Sequence, residues 1–221
     1  MKRYLVFDLD GTLVDSLPGI AEGVRRAMEA MQLVAPEPEA VRGMIGQGAR
    51  NLCAQALGYE STEAAPAELL ESMYCGFCEA YPHCWQGNYT LPYPGIPELL
   101  MRLKDAGARL AVLSNKPHEV TLPMVQQLFP GIGFDPIMGY TGRFPRKPAP
   151  DALLHIATEW GASPAELTLV GDSLYDARTA QAAGSQLQLV DWGYARVEDL
   201  QAHGAPLAHS VAELGRMLEL A

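Results

Sequence analysis

At 221 residues the chain is long enough for one large domain or for a core with a smaller insert. Apolar residues at 48% and charged residues at 19% describe an ordinary globular protein, and a net charge of −10 disfavours nucleic acid or an anionic membrane surface as the main partner. Any anionic substrate must therefore be received by a local cationic site. No apolar run approaches membrane-spanning length, and the stretch between Arg3 and Asp8 is too short for the hydrophobic part of a signal peptide, so a cytoplasmic location is expected.

The first apolar run, Tyr4–Phe7, reads as a buried strand and ends in Asp8, Asp10 and, after a Gly-Thr turn, Asp15. Two carboxylates ~4 Å apart repel by roughly 4 kcal/mol at an effective dielectric near 20. Such crowding demands that the carboxylates diverge into solvent or share a cation. Asp15 serves equally well as a cap for the helix that follows. From Leu17 onward the helical patterns Ile20–Met31, Glu39–Met44, Ala49–Leu57 and Pro66–Tyr81 succeed one another without a convincing strand. Residues 17–88 thus read as a helical insert, with "NYTLPYPG" as the return hinge. Inside it, "MIGQGARN" is a turn in which Gly46 and Gly48 let backbone approach a ligand closely. Arg50 there offers a fork to a carboxylate or phosphate, although a solvated arginine in a Gly-rich turn would look the same.

Three of the four cysteines, Cys75, Cys78 and Cys84, fall with His83 in "CGFCEAYPHC"; the fourth is Cys53. A zinc site is weighed against a helix carrying small apolar cysteines, and the helix is expected because no second pair of closely spaced ligands exists. Disulfides are not expected.

Beyond residue 89, strands and helices alternate. Arg109–Leu113, Pro136–Met138, Leu167–Val170 and Gln186–Val190 read as strands. Gly95–Ala106, Asp151–Trp160 (opened by Pro150, closed by Gly161) and Tyr175–Ala183 (ending at Gly184) read as helices. The alternation predicts an α/β core of residues 1–16 and 89–221, with a parallel sheet covered on both faces. Sites in such sheets lie beyond the carboxyl ends of the strands. There stand Asp8 and Asp10, then Ser114-Asn115-Lys116, then Lys147 ahead of a helix, then "GDSLYD" from Gly171 to Asp176. Singly, Asp172 and Asp176 could be helix caps, Ser114-Asn115 a cap and Lys147 a solvated loop residue; four such features in this order at strand ends argue for one site. Arg143 and Arg146 read as surface charges.

"DLDGTLVDS", "SNKP", "RKPAP" and "GDSLYDARTAQAAG" resemble the four ordered motifs of the haloacid dehalogenase (HAD) superfamily, and the insert resembles its C1-type cap, with a pattern like that of phosphoglycolate phosphatases. The resemblance implies a Rossmann-like parallel-sheet core with an inserted all-helical cap, and a Mg²⁺-dependent phosphomonoester hydrolase for a small phosphorylated metabolite, 2-phosphoglycolate foremost. Asp8, ionised at neutral pH, would attack phosphorus and leave an aspartyl-phosphate. Asp10 would protonate the leaving oxygen and then activate water, and Thr12 is expected to hold the Asp10 carboxyl. Mg²⁺ would sit on the Asp8 side chain, the Asp10 backbone carbonyl and Asp172, with Asp176 as a supporting or alternative ligand. Lys147 would pair with Asp8 and the phosphate, while Ser114 and the Asn115 backbone donate to phosphate oxygens. Gln47, Gly48 and Arg50 resemble the cap loop that reads the leaving group.

Several rivals share the fold. A phosphatase of sugar phosphates or nucleotides fits the same motifs. Dehalogenases lack the second acid, present as Asp10; phosphonatases use a cap lysine, and residues 17–88 contain none. Mutases of the β-phosphoglucomutase type usually carry another residue where Thr12 stands. A catalytically idle binding or regulatory protein would have no need of the intact set. A monomer or homodimer is expected.

Overall fold

In the computed structural model, residues 3–219 are described. They form two compact units, one taking the chain up to Val14 and again from Pro92, the other Asp15–Leu91. Two short extended segments, β2 (Val14–Asp15) and β3 (Leu91–Pro92), carry the chain from one unit to the other.

The first unit is built on six strands: β1 (Tyr4–Phe7), β4 (Arg109–Pro117), β5 (Ile137–Tyr140), β6 (Leu167–Gly171), β7 (Gln186–Val190) and β8 (Leu207–Ala208). Their spatial order is β5-β4-β1-β6-β7-β8 and every pairing is parallel. The parallel α/β fold is as expected from the alternation of apolar runs and helical patterns. Leu5, Val6 and Phe7 are completely buried because helices cover both faces, which is why the strand reads as an unbroken apolar run. On one face, Leu153, Ile156 and Trp160 of α7 (Asp151–Trp160) pack with Val6, Ala111, Leu167 and Leu169. At roughly 1.5–3 kcal/mol for each large apolar side chain buried, this centre is the rigid part of the unit. From β1 the chain builds first toward β4 and β5, then returns to build β6, β7 and β8 on the other side. That reversal opens a crevice at the carboxyl end of β1.

Around the sheet stand α5 (Ile96–Asp105), α6 (His118–Leu128), α8 (Leu174–Ala183), α9 (Val197–His203) and α10 (Val211–Glu219). The sequence reading lacks α6, α9, α10 and β8, and it ends β4 four residues early. β4 continues because Ser114, Asn115 and Lys116 are buried polar residues that extend the strand into the crevice.

The second unit contains α1 (Leu17–Ala30), α2 (Pro38–Arg42), α3 (Ala49–Ala56) and α4 (Ala67–Cys84). Gly23 of α1 meets α4 so closely that a Cβ would stand 3.1 Å from the Phe77 ring. α4 runs past Pro82 and passes into a π-helical turn, Trp85–Tyr89, beyond the expected end at Tyr81. None of the four cysteines is in a disulfide, and among the described residues the Cys-His stretch forms no metal-ligating group.

Candidate active site

Asp8 is the first residue after β1, where Phe7 lies level with Val112 of β4 and Val170 of β6. Its amide donates to the Val170 carbonyl at 2.9 Å, which fixes its backbone against the end of β6. The parallel register therefore brings Asp8 beside the segment that carries Asp172 and Asp176. Carboxylate oxygens of Asp8, Asp172 and Asp176 all lie within 4.8 Å of one another. Lys147 reaches into this cluster, its ammonium 2.9 Å from Asp8 Oδ1 and 2.7 Å from Asp176 Oδ1. Burial by itself would depress the Lys147 pKa; Asp176 and Asp8 overcome that and hold it above the ordinary lysine range.

Three acids against one lysine leave negative charge in excess. Asp8 is pushed up to about 8, chiefly by burial, with Lys147 opposing and Asp176 and Asp172 adding to the rise. Asp172 is pushed up to about 7, again by burial first and then by Asp176, against the opposing pull of the Tyr194 amide and the Thr12 hydroxyl. A cluster in this state takes up either protons or a cation. Closely spaced, buried, hard oxygen donors suit a hard divalent ion.

Asp172 is held in a close-fitting cradle. Thr12 Oγ1 donates to its Oδ1 at 3.0 Å and the Tyr194 amide to its Oδ2 at 2.7 Å. The Trp192 indole donates to the Thr12 carbonyl at 3.2 Å, tying the loop after β7 to the loop after β1. A Cβ on Gly193 would stand 2.2 Å from Asp172 Oδ2, and one on Gly11, whose φ is +82°, 2.4 Å. Thr12 thus corrects the expectation that its hydroxyl holds Asp10: the tight turn at Gly11 directs it to Asp172. Asp176 has two roles, accepting from the Ser173 amide and hydroxyl as part of a capping box on α8 while facing Lys147. The helix-cap reading of Asp176 holds, and the same carboxylate also stands in the acid cluster.

On the β4 side, Lys116 Nζ lies 3.0 Å from each carboxylate oxygen of Asp10. Ser114 is buried, and its Oγ accepts from the Lys116 amide at 3.2 Å. The Asn115 side chain clamps the Lys147 backbone, donating to its carbonyl at 3.0 Å and accepting from its amide at 2.8 Å. Next to these residues lies a cavity of about 220 Å³, lined also by His118, Arg143 and Arg146. Arg146 is not the surface charge expected of it: its guanidinium stacks 3.4 Å from the Tyr140 ring centre and its Nε is buried.

In the helical unit, Gly46 and Gly48 adopt φ of +115° and +91°, the left-handed backbone that favours glycine, and Gln47 accepts from Asn51 at 2.8 Å. Arg50 is exposed, as a solvated arginine would be, but it is not free: it pairs with Glu71 at 2.8 Å and stacks 4.3 Å from the Tyr74 ring centre. Sequence reasoning placed Lys116 at the strand end without giving it a role, and it missed Trp192, Gly193 and Tyr194. Lys116 adjoins Ser114-Asn115, and the 192–194 loop follows a strand end, so position was the available signal for both.

A parallel sheet with carboxylates and a lysine gathered at its switch point is the arrangement of a hydrolase family, and residues 5–190 match the family described as haloacid dehalogenase-like hydrolase. The chain belongs to that family. It is 34% identical to a phosphoglycolate phosphatase of Chromobacterium violaceum over 96% of this chain and 94% of the relative. A phosphoglycolate phosphatase of Pseudomonas putida is also 34% identical, over 94% of this chain and 73% of the relative. Among solved structures, a protein of Haemophilus somnus described as a predicted phosphoglycolate phosphatase superposes with a TM-score of 0.86 at 26% identity, covering 99% of this chain and 97% of its own.

Proposed function

We infer that the chain is a phosphatase of a small phosphorylated metabolite, and we propose that it works through an aspartyl-phosphate on Asp8, depends on Mg²⁺ and takes 2-phosphoglycolate as its leading substrate. The buried cluster of Asp8, Asp172 and Asp176 around Lys147 carries the reading. The family membership and the names of the two 34% identical relatives support it.

Asp8 attacks phosphorus, the bond to the leaving oxygen breaks, and Asp10 gives that oxygen its proton. Asp10 then takes a proton from the water that splits the aspartyl-phosphate, which frees Asp8 and inorganic phosphate. Lys147, already on Asp8, meets the phosphate's charge, and Ser114 with the Asn115 backbone donates to its oxygens. Asp8, Asp172 and the Asp10 carbonyl would hold Mg²⁺, with Asp176 beside them; when bound, the ion neutralises the carboxylates and the phosphate. Gln47, Gly48 and Arg50 are assigned to the leaving group, for which Arg50 must exchange Glu71 for the substrate's carboxylate. No helix among the described residues is long and apolar enough to cross a membrane, in keeping with the cytoplasmic location we propose.

The test is phosphate release from p-nitrophenyl phosphate with Mg²⁺ and with a chelator, repeated for Asp8→Asn. The chelator should abolish turnover, and the amide, a poor nucleophile, should lower it on the order of 10³-fold or more. Full activity without metal, or D8N within tenfold of wild type, sinks the mechanism. Arg50→Ala should cost about 1.5–3 kcal/mol in kcat/KM for phosphoglycolate and leave p-nitrophenyl phosphate unaffected. A substrate panel headed by sugar phosphates or nucleotides would replace phosphoglycolate but leave the chemistry standing.

A further inference from the structure

The two aspartates at the end of β1 are only two residues apart, yet each has its own buried lysine. Asp8 shares Lys147 with Asp176, whereas Asp10 is gripped by Lys116, both of its oxygens at 3.0 Å. The Lys116 side chain is 5% exposed and that of Asp10 12%. Removing an ammonium from water is costly, so a lysine stays buried in this way only where its partner is held in good geometry. The framework is rigid on both sides: Lys116 lies on β4, four residues beyond the register partner of Phe7, and Asp10 three beyond Phe7 itself.

We propose that Lys116 is a positioning residue for the acid–base carboxylate: its ammonium holds Asp10 in one orientation, apart from the cluster that Lys147 organises around Asp8. The inference rests on the phosphatase reading. Asp10 acts twice in that reaction, and the two actions can be separated experimentally. In the first step the P–O bond to the leaving group breaks as Asp8 bonds to phosphorus, and an alkoxide leaving group needs the proton of Asp10. p-Nitrophenolate is stable without a proton, so this step tolerates a misplaced Asp10. In the second step water bonds to phosphorus, its proton passes to Asp10, and the Asp8–phosphorus bond breaks. No leaving group relieves that requirement.

The experiment is rapid-mixing kinetics of Lys116→Met with p-nitrophenyl phosphate in Mg²⁺, alongside steady-state kinetics with phosphoglycolate and a melting curve. The folded variant should release a burst of p-nitrophenol approaching one equivalent of enzyme, followed by turnover 10-fold or more below wild type. With phosphoglycolate, kcat should fall at least as far while KM changes little. Lys116→Arg, which keeps the charge if the methionine variant fails to fold, should show the same burst with a smaller loss. An unaltered kcat with a raised KM for phosphoglycolate would make Lys116 a substrate ligand and overturn the proposal. So would equal losses in both steps with no burst, or wild-type turnover in either variant. A wild-type protein inactive on every phosphomonoester tested defeats the phosphatase reading itself, an outcome distinct from a failure confined to the Lys116 variants.

Discussion

A methyl group placed on Gly193 would fall 2.2 Å from Asp172 Oδ2 and 2.3 Å from its Cβ, closer than real side chains approach. Backbone and side chain cannot both stay, and Asp172 is pinned by Thr12 and Tyr194 on two sides. Gly193→Ala should therefore displace the carboxylate, raising the Mg²⁺ concentration needed for half-maximal activity by tenfold or more. A Mg²⁺ titration of turnover checks this, and an unchanged midpoint would show that Asp172 does not depend on the cradle. The acids themselves were legible in the sequence, since carboxylates at strand ends are conspicuous against buried apolar runs. What Thr12 and Lys116 touch was not, because a hydroxyl or ammonium declares its chemistry but not its direction. Gly193 was illegible for a related reason: its contribution is the absence of atoms beside a residue 21 positions away in the chain.

At the level of elements, the strands were the easiest to read: Tyr4–Phe7, an apolar run, and Gln186–Val190, with its apolar Leu187, Leu189 and Val190, begin and end as expected. The missing elements lacked that signature. α6 contains Pro123 and buries only Thr121, Met124 and Val125, while β8 has two residues, too few for any period to show. β4 was cut short because its last residues are polar, yet those residues do the joining. Asn115 in β4 satisfies both backbone groups of Lys147, an attachment between segments 32 residues apart. Asn115→Ala leaves a buried amide and carbonyl without that partner, a loss of about 1–3 kcal/mol for each group. Urea unfolding should show a destabilisation of that order, and kcat/KM should fall as the Lys147 ammonium loses its fixed origin. Asn115→Asp keeps the acceptor but sets a buried carboxylate oxygen against the Lys147 carbonyl in an already acidic region, so it should be no more stable than alanine. Equal stability of all three proteins would mean that the loop is held by other contacts.

For the whole molecule, the acid cluster couples folding to pH and, in the proposed reading, to metal. Asp8 and Asp172 carry pKa values of about 8 and about 7 in the folded chain, against an ordinary value of 3.8. A group whose pKa is raised on folding binds more protons folded than unfolded, so stability falls as pH rises between the two values. Without metal, the melting temperature should decline from about pH 5 to about pH 8. His209, whose pKa is raised by its pairing with Asp191, adds a contribution of the same sign: its stabilisation is lost as pH climbs through that raised value. That pair is on the surface and contributes little. The net charge of −10 also grows less favourable with pH, but all acids share in it. Asp172→Asn separates these terms by removing one buried carboxylate and leaving His209 and the surface in place. In a chelator its melting temperature should depend less on pH than that of wild type and lie above it at pH 8. In the proposed reading Mg²⁺ binds the folded state, so it should stabilise the wild type, by a larger increment at pH 8, where the carboxylates are ionised, than at pH 5, where protons compete. Calorimetry at both pH values, with Mg²⁺ and with a chelator, measures all four quantities. A flat metal-free profile, or equal Mg²⁺ increments at the two pH values, would remove the buried carboxylates as the seat of the coupling.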